Sequence, residues 1–200
     1  MGVLLGQSSR STIRSVEPTR KGTWLEPIKN KYRCATCGKW HEGPALAYGF
    51  EAPAVYYQIP AEQRQDRCEL SSDTCAIDMK HFFIVGNLEI PIIGRRQKFV
   101  WSPWVSLSEK NFKRVGELWE QPGRETEPPY FGWLSSIIPG YPTSEPIATR
   151  VHTRMLGIRP RIELEPTEFQ LSKDQVNGIT WERALELDAM AMHASKPARK

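Results

Sequence analysis

Hydrophobic and polar positions change rhythm several times along this chain, and each rhythm predicts a different element. "AVYYQIP" is rich in β-formers and predicts a strand that ends at Pro60. "HFFIVGNLEIPIIG" predicts one long bent strand or two short ones, with Gly86-Asn87 as the break. After the polar turn "GRRQ", the segment "KFVWSPWVSLS" sets Phe99, Trp101 and Val105 against Val100, Ser102, Trp104 and Ser106, the two-residue period of a strand with distinct faces. Pro103 has no N–H for a ladder, so this strand is expected at an edge or with a bulge at that point. The short turn between these segments predicts antiparallel pairing.

A helix is expected next. Ser106 and Glu109 have the spacing of a capping box, and Phe112, Val115, Leu118 and Trp119 follow at helical intervals until Pro122-Gly123. "EPPYFGWLSSIIPGYP" carries too much Pro and Gly for regular structure and reads as an aromatic loop. "ATRVHTRML" and "RPRIELEP" return to strand-like alternation. A short turn ending at Gly178 leads to a helix from about Thr180, with Trp181, Ala184, Leu185, Ala191 and Met192 on its buried face. Strands with helices between and after them predict an α+β domain.

The chain has 200 residues, 40% hydrophobic and 25% charged, enough for one domain with tails. Residues 1–22, rich in Ser, Arg and Thr without a hydrophobic period, are expected to form a flexible basic extension. Residues 23–193 form the single domain, and 194–200 a basic tail. The formal charge of +4 is uneven: residues 34–195 hold 17 basic against 21 acidic side chains, so the basic character lies in the ends. That pattern argues against nucleic acid as a partner except through those ends. "VLLG" is too short for a secretory h-region, Gly6 breaks the myristoylation pattern, and Asn87, Glu89 and Pro91 interrupt the most apolar run. A cytoplasmic protein without a membrane span is expected, and in a reducing compartment its four cysteines read as ligands or buried thiols.

"CATCGKWHEG" is the sharpest chemical signal. Cys34-x2-Cys37 lets two thiolates grip one tetrahedral ion, Gly38 permits the tight turn, and His41 lies within reach of the same ion. Zinc prefers thiolate and imidazole, so one donor is missing, with Cys75, Cys68 and His81 as candidates. The pair could instead be inert thiols or a redox couple, although Gly43-Pro44 forbids the long helix that usually follows a redox Cys-x-x-Cys. The close-spaced pair favours a structural zinc over a catalytic one. The complete expectation is therefore an α+β fold, a mainly antiparallel sheet with a few flanking helices and an N-terminal Cys/His knuckle.

"CATCGKWHEGP", "SSDTCAID", "FFIVGNLEIPI", "WVSLSEKNF", "PPYFGWL", "GYP" and "RPRIELEPT" stand in an order that resembles a bacterial family of uncharacterised proteins, domain of unknown function 2199, over roughly residues 32–185. The resemblance implies a ligand set of Cys34, Cys37, His41 and Cys75, and leaves Cys68 outside it. It implies no activity. Ser102-Pro103-Trp104 and Phe169 depart from the family's pattern, the latter standing where relatives tend to have histidine.

Other constellations carry weaker chemistry. Asp73, Asp78 and His81 are candidates for acid–base work beside an ion, though such residues more often cap turns. Trp101, Trp104, Tyr130, Phe131 and Trp133 could line a ligand groove, with Arg159 as an anion clamp; core packing and surface ion pairing are the plainer readings. No phosphate-binding Gly-Lys loop, dinucleotide fingerprint, nucleophile elbow or zinc-protease helix is present. The expected function is a zinc-stapled module that binds a protein or small ligand. The alternatives are a metal-assisted hydrolase and a nucleic-acid accessory protein using its basic ends.

Overall fold

The computed structural model describes residues 13–15, 31–34 and 36–194. In chain order its strands are β1 (Ile13–Ser15), β2 (Lys31–Arg33), β3 (Trp40–Glu42), β4 (Ala47–Phe50), β5 (Cys68–Leu70), β6 (Thr74–Ile77), β7 (His81–Val85), β8 (Leu88–Pro91), β9 (Lys98–Ser102), β10 (Trp104–Leu107), β11 (Tyr130–Leu134), β12 (Ala148–His152) and β13 (Arg161–Leu164). The helices are α1 (Arg64–Arg67), α2 (Glu109–Glu117), α3 (Gln170–Asn177) and α4 (Trp181–Ala194). The fold is α+β and mostly antiparallel, as the hydrophobic pattern predicts. The basic segments 1–22 and 194–200 lie outside the described residues, apart from β1 and Ala194.

Seven strands form the larger sheet in the order β13-β12-β11-β10-β7-β6-β5, every pair antiparallel. The smaller sheet has the order β1-β4-β9-β8, in which β4 and β9 run parallel. β2 and β3 make a separate hairpin.

Two stretches of chain serve both sheets. β7 passes into β8 at Gly86-Asn87, and β9 passes into β10 at Pro103. These breaks lie side by side: the Gly86 N–H donates to the Pro103 carbonyl at 3.1 Å, and the Ser102 hydroxyl donates to the Asn87 side chain at 3.0 Å. Strands that change sheets through a bend make a corner, and a proline suits it because no ladder N–H is lost. Asn87 also exchanges backbone bonds with the segment entering β13: its N–H donates to Pro160, and its carbonyl accepts from Ile162.

The break at Pro103 corrects the two-face reading of "KFVWSPWVSLS". Trp101 and Trp104 should point to opposite faces of one strand, yet both are buried because the chain turns between them. Trp101 lies against Tyr48 and Phe99, while the Trp104 indole donates to the Phe50 carbonyl at 2.9 Å. Burial with its N–H satisfied makes Trp104 a strong core residue.

Four other elements differ from the sequence expectation. "AVYYQ" is a 3-10 helix, Ala54–Gln58, held between Pro53 and Pro60. The aromatic loop contains β11, a central strand. Its Gly132 permits close packing there, since a Cβ would stand 2.2 Å from the Ser106 carbonyl oxygen. The segment before Gly178 is a full helix, α3, whose buried side includes the polar Ser172 and Asp174 and so hides the helical period. The cap of α2 is Ser108, whose hydroxyl accepts from the Asn111 N–H, because Ser106 stays in β10 and bonds to Trp133. Its Phe112 packs on Phe82 of β7, with ring centroids 4.9 Å apart. No described helix is long and apolar enough to cross a membrane.

The corner predicts opposite outcomes for two glycine substitutions. At Gly86 an added Cβ would meet Ile162 Cδ1 at 2.4 Å and the Pro160 carbonyl at 2.9 Å, whereas at Gly116 in α2 nothing lies within 4 Å. In urea unfolding, Gly86→Ala should cost about 1–3 kcal/mol. Gly116→Ala should add about 0.5–1 kcal/mol, since it lowers unfolded-chain entropy inside a helix.

Candidate metal centre

The centre is built on the β2–β3 hairpin. Its register sets Tyr32 opposite His41 and Arg33 opposite Trp40. Between the strands the chain folds tightly on itself: the Cys34 N–H donates to the Lys39 carbonyl and the Gly38 N–H to the Cys34 carbonyl, each at 2.9 Å. Gly38 takes φ +68°, the left-handed conformation that glycine adopts without a Cβ penalty. This turn aims Cys34 and Cys37 to the side on which His41 stands.

Helix α4 brings the fourth donor. Thr180 caps its start, accepting at its side-chain oxygen from the Arg183 N–H, and His193 lies in its last turn. The ligand atoms of Cys34, Cys37, His41 and His193 all lie within 4.8 Å of one another. Cys34 Sγ is 3.3 Å from His193 Nε2, and Cys37 Sγ is 3.3 Å from His41 Nε2. A tetrahedral zinc at ordinary bond lengths separates sulfur from nitrogen by about 3.6 Å, so the donor set and its spacing fit such an ion. Burial alone would push the Cys34 thiol up. Hydrogen bonds from the backbone N–H groups and side chains of Cys37 and Thr36 outweigh it and hold the thiol below its ordinary value, which favours the ligating thiolate.

The fourth member is thus His193 and not Cys75. Cys75 is fully buried in β6, opposite Leu70 on one side and Phe83 on the other. Burial, with a smaller contribution from Cys68, pushes its thiol up to about 12, the behaviour of a core thiol. Cys68 stands half-buried on the neighbouring strand.

A second group ties α4 to the hairpin side. Asp188, fully buried, accepts from the Tyr32 hydroxyl, the Tyr48 hydroxyl and, at 2.8 Å, the Ala45 N–H. Burial first, and then the bond to Asp188, push both phenols well above the ordinary tyrosine range, so they stay neutral donors. Asp188 and His193 each leave a sequence signal, but neither signal names its distant partner. Asp188 shares a helical stripe with Ala184 and Ala191, where a lone carboxylate signals a buried partner, and a histidine near the end of that helix completes a three-donor motif.

The remaining sequence candidates do not join the four. Asp73 is ion-paired with Arg159 at 2.7 Å, so that guanidinium is already engaged. Asp78, at φ +52° in the β6–β7 turn, takes two hydrogen bonds from Arg67, which hold its carboxyl below the usual range. His81 is exposed at the start of β7. The aromatic set divides: Trp101, Trp104 and Tyr130 are core, while Phe131 and Trp133 project from β11 into solvent, edge to face with centroids 5.3 Å apart.

Fold and site together define an α+β protein with a four-donor Cys/His centre that joins its N-terminal hairpin to its C-terminal helix. The chain belongs to the family described as uncharacterized protein conserved in bacteria (DUF2199), which matches residues 33–179. Cys34, Cys37 and His41 fall inside that match, and His193 falls beyond it. No curated protein and no solved structure matches the chain.

Cobalt(II) titration, followed by thiolate-to-metal absorption, separates the two candidates for the fourth donor. His193→Ala should weaken binding and change the spectrum. Cys75→Ser should leave both unchanged and instead lower stability by about 1–3 kcal/mol, the cost of a buried hydroxyl without a partner.

Proposed function

We propose that the chain is a zinc-stapled binding module, in which the ion fastens the β2–β3 hairpin to α4 and the rest of the fold presents a surface to a protein or small ligand. The observation that carries this reading is the four-donor set itself. Two thiolates and two imidazoles match the preference of zinc, and four protein donors leave no position for the water or substrate that a catalytic ion needs. Cys34, Cys37, His41 and His193 would hold the ion, which supplies a cross-link between distant parts of the chain. Closing so long a loop limits the unfolded ensemble, and the free energy of binding becomes folding free energy.

The binding half of the reading rests on the surface beside β11. Exposed Trp133 borders a groove of about 940 Å³ whose other lining residues include Val55, Ile137, Pro139 and Tyr141. An apolar groove with an exposed indole at its rim suits a peptide or small apolar ligand. The fourth protein donor, and the ion pairs that occupy Asp73 and Asp78, weigh against the hydrolase alternative.

Elemental mass spectrometry of protein purified without a metal-binding tag should find one zinc per chain. Removing it with a chelator should lower the melting temperature by roughly 10 °C, for a site held at about a thousand times its Kd. A metal-free protein whose Cys34 and Cys37 thiols titrate freely would overturn the reading.

A further inference from the structure

Helix α4 meets the hairpin side at two places. One is the metal cluster, through His193. The other is the Asp188 carboxylate, five residues earlier on the same helix. Its three donors come from three parts of the chain: Tyr32 in β2, Ala45 in the connection after β3, and Tyr48 in β4. No described Lys, Arg or His pairs with this carboxylate, although it is fully buried. Burying an ion this way is costly, and an apolar side chain would serve a merely adhesive contact as well. What the carboxylate adds is direction, because hydrogen bonds fix angle and register where apolar contact does not.

Register matters here for a geometric reason. Sliding α4 by one residue moves every side chain by about 1.5 Å along the axis and about 100° around it. Such a slip would carry His193 Nε2 out of its 3.3 Å contact with Cys34 Sγ. Tyr32 is placed to prevent it. It stands directly across the hairpin from His41, their ring centroids 5.9 Å apart, and its hydroxyl reaches Asp188. The hairpin that carries three donors is thus bonded to the helix that carries the fourth.

We propose that Tyr32 and Asp188 are positioning residues of the metal centre: their hydrogen bond sets the register between hairpin and helix in which His193 completes the ligand set. This inference rests on the zinc reading. Tyr48 provides an internal comparison, since it donates to the same carboxylate from β4, an element of the sheet that carries none of the donors. It bears on the stability of the contact without bearing on the hairpin.

The test uses the full chain and zinc alone as probe. Affinity is measured by competition with a chromophoric chelator, the cobalt(II) spectrum reports ligand geometry, and thermal unfolding of the metal-free protein reports stability. Tyr32→Phe should weaken zinc binding about 10- to 100-fold and shift the cobalt ligand-field bands, as loss of a group supporting metal ligands does. Tyr48→Phe should lower the melting temperature of the metal-free protein and keep zinc affinity within about threefold of wild type. Asp188→Asn should follow Tyr32→Phe; if it fails to fold, the two tyrosine variants still decide. Wild-type affinity and spectrum in Tyr32→Phe would overturn the inference and leave the zinc reading intact, and so would equal losses of affinity in the two tyrosine variants. A wild-type protein that takes up no zinc would remove the reading beneath it, and that outcome is visible before any variant is made.

Discussion

One backbone hydrogen bond, from the Gly86 N–H to the Pro103 carbonyl, sits where two stretches of chain leave one sheet and enter the other. Everything else hangs from this crossing. It requires a residue without a side chain on one strand, because Ile162 and the Pro160 carbonyl occupy the space a Cβ would need. It suits a residue without an N–H on the other. Asn87 satisfies the polar groups that the bend exposes, through its backbone and its side chain. With the corner closed, β4 and β9 can lie parallel in the smaller sheet, and Tyr48 of β4 is delivered to the underside of α4.

The metal centre extends the same logic to the two ends of the described domain. The β2–β3 hairpin has three residues in each strand and buries little apolar surface, so it does not dock strongly by hydrophobic burial alone. Four Cys/His donors clustered within 4.8 Å and one buried carboxylate that accepts three hydrogen bonds give directional contacts there. The contrast with the core is instructive. There Phe99, Trp101 and Trp104 hold the sheets by volume, and the hydrogen bond from Trp104 to Phe50 only fixes orientation. At the hairpin the directional contacts add to the apolar packing of α4, whose Ala184, Leu187 and Ala191 are buried in the core.

Elements governed by local rules were legible in the sequence. The break at Gly86-Asn87, the interruption at Pro103 and the tight turn at Gly38 all follow from backbone chemistry that a reader can see. Elements governed by distant partners were not. Gly132 looks like a breaker until Ser106 is known to lie against it, and α3 looks irregular until Asp174 is known to accept from Tyr141. The metal site shows both cases at once. Cys34, Cys37 and His41 fall within eight residues and announce themselves, whereas His193 is 159 residues from Cys34. The resemblance implies Cys75, but its place in β6 between Leu70 and Phe83 buries the thiol in the core.

That separation has a temporal side. A chain is made from its N-terminus, at about 5–20 residues per second, so the hairpin with its three donors emerges on the order of ten seconds before His193 is added. Throughout that interval the nascent protein holds only three of the four clustered donors, so on the zinc reading an ion would lack its fourth ligand. Only when α4 folds back does His193 join Cys34, Cys37 and His41. The completed centre therefore records that the far end of the domain has been synthesised and has found its place.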